Sequence, residues 1–313
     1  MKELQSAWLD TMSELKGLHT EIATLIDAKS IAYIDIPIHF NVGDLLIYKG
    51  TEQFFQNHGI NVLYRSDCHY VDQKKLEKVD VIVFHGGGNF GDIYPLHQKF
   101  RESIVSKYPE KRIICLPQTI KFKDLDTKKE SSKIFEQHND FHMFVRDERS
   151  YEEAKLFTEN VRMMPDMAHS LHPMIDKTEI TNRTEKLLNL VRKDVEANSA
   201  ARTNKRDFDW DDIISVNDIL IGKSCNIIRK LSFMSSKANG LYIKLWERAS
   251  NDIIFRSVNY FNIHDQVHTD RLHGLILASL LGKNIKLYDN SYGKNVSYYD
   301  FWLKNIELIH LEK

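Results

Sequence analysis

Short apolar runs alternate with helical patterns through most of this chain, and no other feature restricts its fold as much. Strand-like runs fall at 31–36, 61–64, 79–84, 113–116, 142–145 and 161–164, with helical patterns between them such as 44–58, 95–108 and 150–157. Apolar strands spaced by helices imply a parallel sheet covered on both faces, because each crossover lays a helix against the sheet. An amphipathic segment near 2–26 precedes the first strand. The polar stretch 176–185 (DKTEITNRTE) interrupts the alternation and reads as a linker. Beyond it come a strand at 187–191, a long helix near 241–259, a helix at 271–281 and a strand at 285–288, while 197–212 reads as a loop. A chain of 313 residues exceeds the size at which single cores divide. The expectation is an α/β protein of two Rossmann-like domains facing a cleft. Residues 1–178, with the N-terminal helix, form the first, and 179–313 form a smaller second.

Charge and cysteine content exclude several functions. With 43 basic and 44 acidic residues the net charge is -1, so no global field attracts nucleic acid. Cys68, Cys115 and Cys225 are odd in number, far apart and form no CxxC pair, which favours a reducing cytosol over disulfides or structural zinc. Glu3, Asp10, Glu14 and Lys16 break any signal-peptide core, and no apolar run reaches the roughly 18 residues of a membrane span. The reading is a cytoplasmic protein without a transmembrane segment.

The stretch FHGGGNFGD (Phe84 to Asp92) follows an apolar run and concentrates residues that carry an entropic cost. Gly86, Gly88 and Gly91 satisfy G-x-G-x-x-G, but the next strand (IICLPQ) ends in Gln118, with no acidic residue to hold a ribose. Nicotinamide binding is not expected. Asn89-Phe90-Gly91-Asp92 echoes Asn41-Val42-Gly43-Asp44, each after a strand and before a helix. Such turns lie where open parallel sheets bind ligands, and helix starts favour anions. Asp44 and Asp92 serve equally well as helix N-caps.

Other motifs fall short. IGKS (Ile221 to Ser224) lacks the earlier glycine of a phosphate loop, Asn217 standing there. DFDWDD (Asp207 to Asp212) has Asp212 where a calcium loop needs glycine, and reads as a solvated acidic loop. His264, His268 and His273 lack H-E-x-x-H spacing, so no metal is expected. HTDRLHG (His268 to Gly274) is the stronger constellation. It places Arg271 and His273 in the first turn of an apolar helix, where a cation opposes the macrodipole and anion binding supplies a reason for it. A histidine there is available for acid–base work. Arg146, in VRDERS, ends a strand at the ligand-facing edge, and Arg149 reads as a surface residue. Two arginines across a cleft suit a small ligand with two anionic groups.

GGGNFGD, LPQTI, VRDERS, PDMA, RKDVE, TDRLHG and LYDNSYGKN together resemble the polysaccharide pyruvyltransferase family, over nearly the whole chain. The resemblance implies a GT-B-like pair of domains and transfer of a pyruvyl unit from phosphoenolpyruvate to sugar hydroxyls, forming a ketal in a bacterial exopolysaccharide or surface polysaccharide. It implies no cofactor beyond that donor. Arg146, Arg271, Leu272 and His273, with Gly86, Gly87 and Gly88, are the donor-side candidates; Asn41 and Asn89 are the acceptor-side ones. His273, Asp44 and Asp92 are candidates for the chemistry, with the general base unassigned. The acceptor is a saccharide, free or lipid-linked, the latter placing the protein at the inner face of the membrane; homo-oligomerisation stays open. The alternatives are a glycosyltransferase using a nucleotide sugar and a catalytically silent binding protein of polysaccharide assembly.

Overall fold

The alternation resolves into two all-parallel sheets in a computed structural model that describes residues 2–174, 186–191, 207–232, 235–289 and 293–312. Helices α1 (Lys2–Leu18) and α2 (Thr20–Ile26) lead into β1 (Ile31–Ile34), α3 (Val42–Asn57), β2 (Val62–Ser66), α4 (Gln73–Leu76), β3 (Val81–Phe84) and β4 (Gly87–Phe90). Then follow α5 (Pro95–Lys107), β5 (Arg112–Ile120), α6 (Leu125–Glu136), β6 (Phe141–Val145), α7 (Glu148–Ala154) and β7 (Val161–Met163). The first sheet runs β2-β1-β3-β5-β6-β7, with β4 also on β5. The long β5 pairs with β3 through Arg112–Cys115 and with β4 through Gln118–Ile120. The glycine stretch is therefore strand as well as turn, a point its composition hid.

Residues of these strands divide by parity, as the two-residue period of a strand demands. Ile31, Tyr33, Val81, Val83, Ile114 and Leu116 share one core with α1, α2 and α3. Ala32, Ile34, Ile82, Phe84, Ile113 and Cys115 belong to the other, with Ile104, Phe135 and Ala154 of α5, α6 and α7. Both faces are covered, so the strands are apolar throughout.

The chain visits β2 on one side of β1 and β3 on the other. This reversal opens a crevice at the carboxyl ends of β1 and β3, where parallel sheets receive ligands. Loop 35–41 and the turn at 85–86 leave from those two strands.

The second sheet, ordered β11-β10-β9-β8, comprises β8 (Leu187–Leu190), β9 (Gln266–Thr269), β10 (Asn284–Tyr288) and β11 (Ile309–Glu312). Around it pack α8 (Val216–Arg229), α9 (Ser236–Asn262), α10 (Leu272–Leu280) and α11 (Lys294–Tyr298). The expected linker at 176–185 and the loop at 197–206 lie outside the described residues. One apolar core joins Ile31 and Leu46 of the first unit to Trp246, Leu277 and Ile285 of the second. Helix α1 touches both units: Trp8 Nε1 donates to the Ser279 carbonyl at 2.6 Å, beyond the first unit to which its position in sequence assigned it.

Candidate active site

A cavity of about 440 Å³ opens where the crevice of the first sheet meets the start of α10. His39, Asn41, Asp44, Gly88, Asn89 and Arg146 line one wall, with Ile93, Tyr94 and His97; Trp210, Arg271, Leu272, His273 and Lys294 line the other. Residues far apart in sequence converge here because both sheets point carboxyl ends at it.

The floor is built on Asp166, in a loop after β7. Its carboxylate is buried, pairs with Arg146 Nη1, and stands 3.4 Å from His273 Nε2. Its Oδ1 accepts from Ala168 N at 2.9 Å, and its own amide donates to Tyr298 Oη at 3.0 Å. Burial alone would raise the Asp166 carboxyl, but His273, Arg146 and the Ala168 amide outweigh it and hold the group well below the ordinary carboxylate range. An anion so fixed stands where it can orient the imidazole, as the aspartate of a catalytic triad does. Arg146 donates Nε to Thr119 Oγ1 at 2.9 Å, and its Nη2 comes 3.3 Å from where a Gly88 Cβ would stand. Glycine at 88 makes room for that guanidinium.

Arg271 is the N-cap of α10, one position before the first turn expected for it. Its Nη2 lies 2.5 and 2.6 Å from the two oxygens of Asp209, and its Nε is buried with no hydrogen-bond partner among the described residues. The acidic stretch expected to be solvated thus supplies a buried partner to Arg271. Asp212 closes a capping box with Asp209. His273 packs against the start of α3: a Cβ on Gly43 would stand 2.5 Å from its Nδ1. Asn41 caps α3, accepting from Gly43 N at 2.9 Å, while Asp44 sits in the first helical turn, 3.6 Å from His39 Nε2.

Three sequence expectations need correction. Asp92 does not line the cavity and caps no helix; its carboxylate accepts from the Lys123 and Asp124 amides at 2.8–2.9 Å, and α5 starts instead at Pro95 after Tyr94. Gly86 and Gly87 are buried beneath the cavity, Gly86 against the Pro117 carbonyl and Gly87 against Ile47, so only Gly88 of the three reaches its wall. Asp44 is not the α3 cap, since Asn41 holds that position. Arg149 is exposed and pairs with Glu153, and Gly222 and Lys223 of IGKS lie inside helix α8.

Four residues escaped sequence reasoning. Asp166 and Lys294 were within reach, in the quoted PDMA and LYDNSYGKN. Asp35 and His97 carried no pattern. Asp35 directly follows β1 with φ 65, a left-handed backbone that costs energy for a non-glycine residue. It is buried between His97 Nδ1 at 2.6 Å and Arg101 Nη2 at 2.5 Å. Burial would raise Asp35, but Arg101 and His97 hold it below its usual value. Arg101 also grips Asn89, donating to its carbonyl at 3.1 Å and its Oδ1 at 2.6 Å. The Asp35, Cys68 and His97 ligand atoms lie within 4.8 Å of one another, but a cation there would face the Arg101 guanidinium and a thiol that burial raises to about 12. That donor set does not suit a metal.

The family model described as polysaccharide pyruvyl transferase matches residues 41–285, the span that holds almost every residue of this cavity. The chain belongs to the polysaccharide pyruvyl transferase family. It is 37% identical over 309 residues to a Bacillus subtilis (strain 168) protein named pyruvyl transferase EpsO, covering 95% of this chain and 94% of that one. Pyruvyl transferase 1 of Schizosaccharomyces pombe is 27% identical over 300 residues, 90% of this chain and 71% of its own. A crystal structure of a functionally uncharacterised Klebsiella pneumoniae protein superposes with a TM-score of 0.57 at 23% identity, covering 94% and 96% of the two chains, which is a likeness of fold. This pyruvyl transferase homologue is accordingly a transferase, and its described residues include no helix long and apolar enough to cross a membrane.

Proposed function

We propose that this protein transfers the pyruvyl unit of phosphoenolpyruvate to two hydroxyls of a saccharide, releasing phosphate and leaving a cyclic ketal in a surface polysaccharide or exopolysaccharide. The two sheets then act as Rossmann-like halves of a GT-B-like enzyme, with the donor between them. One observation carries the reading: Arg146, Arg271, Lys294 and His273 line a single cavity. Phosphoenolpyruvate bears a carboxylate and a phosphate, and separated cations hold such a pair apart and oriented. Arg271 and Lys294 suit the phosphate, Arg146 the carboxylate.

In the chemistry, an acceptor oxygen bonds to C2 of the donor while a proton goes to C3. The C2–O bond to phosphate breaks, and a second hydroxyl adds to the resulting oxocarbenium and loses its proton. In this reading His273, beside Asp166, is the acid that protonates C3. Asp44, His39 and His97 are groups of the opposite wall that can take up a hydroxyl proton, and Asn41 and Asn89 flank the acceptor's approach. No redox step occurs, so no redox cofactor is needed.

Thermal shift with phosphoenolpyruvate, common nucleotide sugars and NAD tests the donor. A ligand at about 100 times its Kd adds about 2.7 kcal/mol of stability. Phosphoenolpyruvate should raise Tm, and Arg271→Ala should abolish the rise. A shift with a nucleotide sugar and none with phosphoenolpyruvate would replace this reading by glycosyl transfer.

A further inference from the structure

Helix α8 lies outside the cavity and carries an apolar stripe that nothing among the described residues covers. Val216 is 73% exposed, Leu220 55%, Ile227 67%, and Leu231, just past the helix, 55%. At about 100° per residue these four fall within an arc of about 60°. Exposed apolar residues scattered singly need no explanation, but a stripe along one helix does. The exposed Lys223 and Lys230 run along one edge of it. Among the described residues of α8 the only carboxylate is Asp218, which is buried and paired with Arg256 at 2.5 Å. The outer face is therefore apolar and positive, with no negative group.

The opposite face of α8 is tied to the cavity. Gly222 abuts Phe40, whose Cζ would be 2.5 Å from a Cβ there. Phe40 stands between His39 and Asn41, both of which line the cavity. The face of α8 opposite the stripe thus packs against the loop that carries two cavity residues.

We propose that α8 docks this protein on an anionic membrane surface, its apolar stripe entering the headgroup boundary and its lysines meeting lipid phosphates. An interfacial helix requires this combination of an apolar face and flanking cations. A second copy of the chain fits less well. An antiparallel two-fold contact through α8 would set the stripe against itself and bring Lys223 and Lys230 of both copies to one edge, with no exposed carboxylate among the described residues of α8 to compensate. The inference goes beyond the proposed reaction and does not depend on it, because the test reads binding without turnover.

The full chain is floated with vesicles of phosphatidylcholine alone and of equimolar phosphatidylcholine and phosphatidylglycerol. Binding is expected to the anionic vesicles only, and to fall with added salt. The Lys223→Glu/Lys230→Glu variant should lower partitioning by at least roughly tenfold. Leu220→Gln/Ile227→Gln should lower it comparably; these side chains are exposed, so both variants should retain the wild-type Tm. Failure to bind anionic vesicles, or binding by either variant as tight as that of the wild-type chain, overturns the proposal. So does a concentration-dependent dimer that Leu220→Gln/Ile227→Gln abolishes, since the stripe would then serve a second copy.

Discussion

Asn41-Val42-Gly43-Asp44 and Asn89-Phe90-Gly91-Asp92 share one pattern, follow strands of the same sheet and have different fates. In the first, Asn41 caps α3, Gly43 lies under the His273 ring, and Asp44 faces the cavity. In the second, Asn89 and Phe90 still belong to β4, Phe90 is buried in the far core, and Gly91 has φ +131 with a Cα hydrogen toward the Lys121 carbonyl. A Cβ at Gly91 would come to 1.9 Å from that carbonyl oxygen. The first glycine gives way to a side chain from the other sheet and the second to backbone of its own sheet. One turn serves chemistry and the other architecture.

The largest test of this contrast is at the first turn. His273→Ala should lower kcat by roughly 10²–10⁴-fold. Gly43→Ala, which displaces the same ring, should cost much of that activity while leaving Tm nearly unchanged, because a side chain can move aside. Equal losses of Tm in Gly43→Ala and Gly91→Ala would erase the distinction.

Acid should weaken the fold through its buried histidines, one of which leads into the second turn. His85 precedes its glycines, is buried, accepts or donates at 2.6 Å with Tyr33 Oη, and burial holds it at about 4. Burial likewise holds His19 at about 4 and His169 at about 3. Their folded values lie below the unfolded 6.5, so the unfolded chain binds more protons in between, and stability that is complete above 6.5 falls as pH drops towards 4. For a shift from 6.5 to about 4 one such group loses roughly 3 kcal/mol. Tm measured from pH 7 to pH 4 should drop accordingly, and His85→Gln should flatten the curve; a flat wild-type profile would contradict the buried neutral state.

Gly91→Ala comes next. A left-handed φ and a backbone clash should lower stability by about 2–3 kcal/mol, read by denaturant titration, with the kcat of the folded fraction unchanged. The smallest effect separates the aspartates. Asp92→Ala should remove acceptors from two amides and cost about 1 kcal/mol without touching kcat. Asp44→Ala should do the reverse, lowering kcat at nearly constant Tm. If Asp92→Ala abolished turnover in a stable protein, its place outside the cavity would be contradicted.

Much of the architecture was legible because strands buried on both faces must be apolar at every position, and 31–34, 81–84 and 113–116 are. The cavity places of Arg146, Arg271 and His273 were legible as well, since each stands at the ligand-facing end of a strand or helix. Strand β4 was not: its glycines suppress the apolar signal, and only pairing to the far half of β5 makes it a strand. Asp35 and His97 were invisible for a related reason, being 62 residues apart with no shared pattern.

Sequence alone determined the period of the elements, the absence of strong net charge and the residues that could carry anion binding, because those follow from local composition and spacing. Tertiary structure decided which carboxylate holds which cation, Asp166 with Arg146 and His273, Asp209 with Arg271. It also decided that Gly43 and Gly91, alike in sequence, face a movable imidazole and a fixed carbonyl. A partner's identity depends on what the second chain segment brings within a few ångströms, and no local pattern encodes that distance.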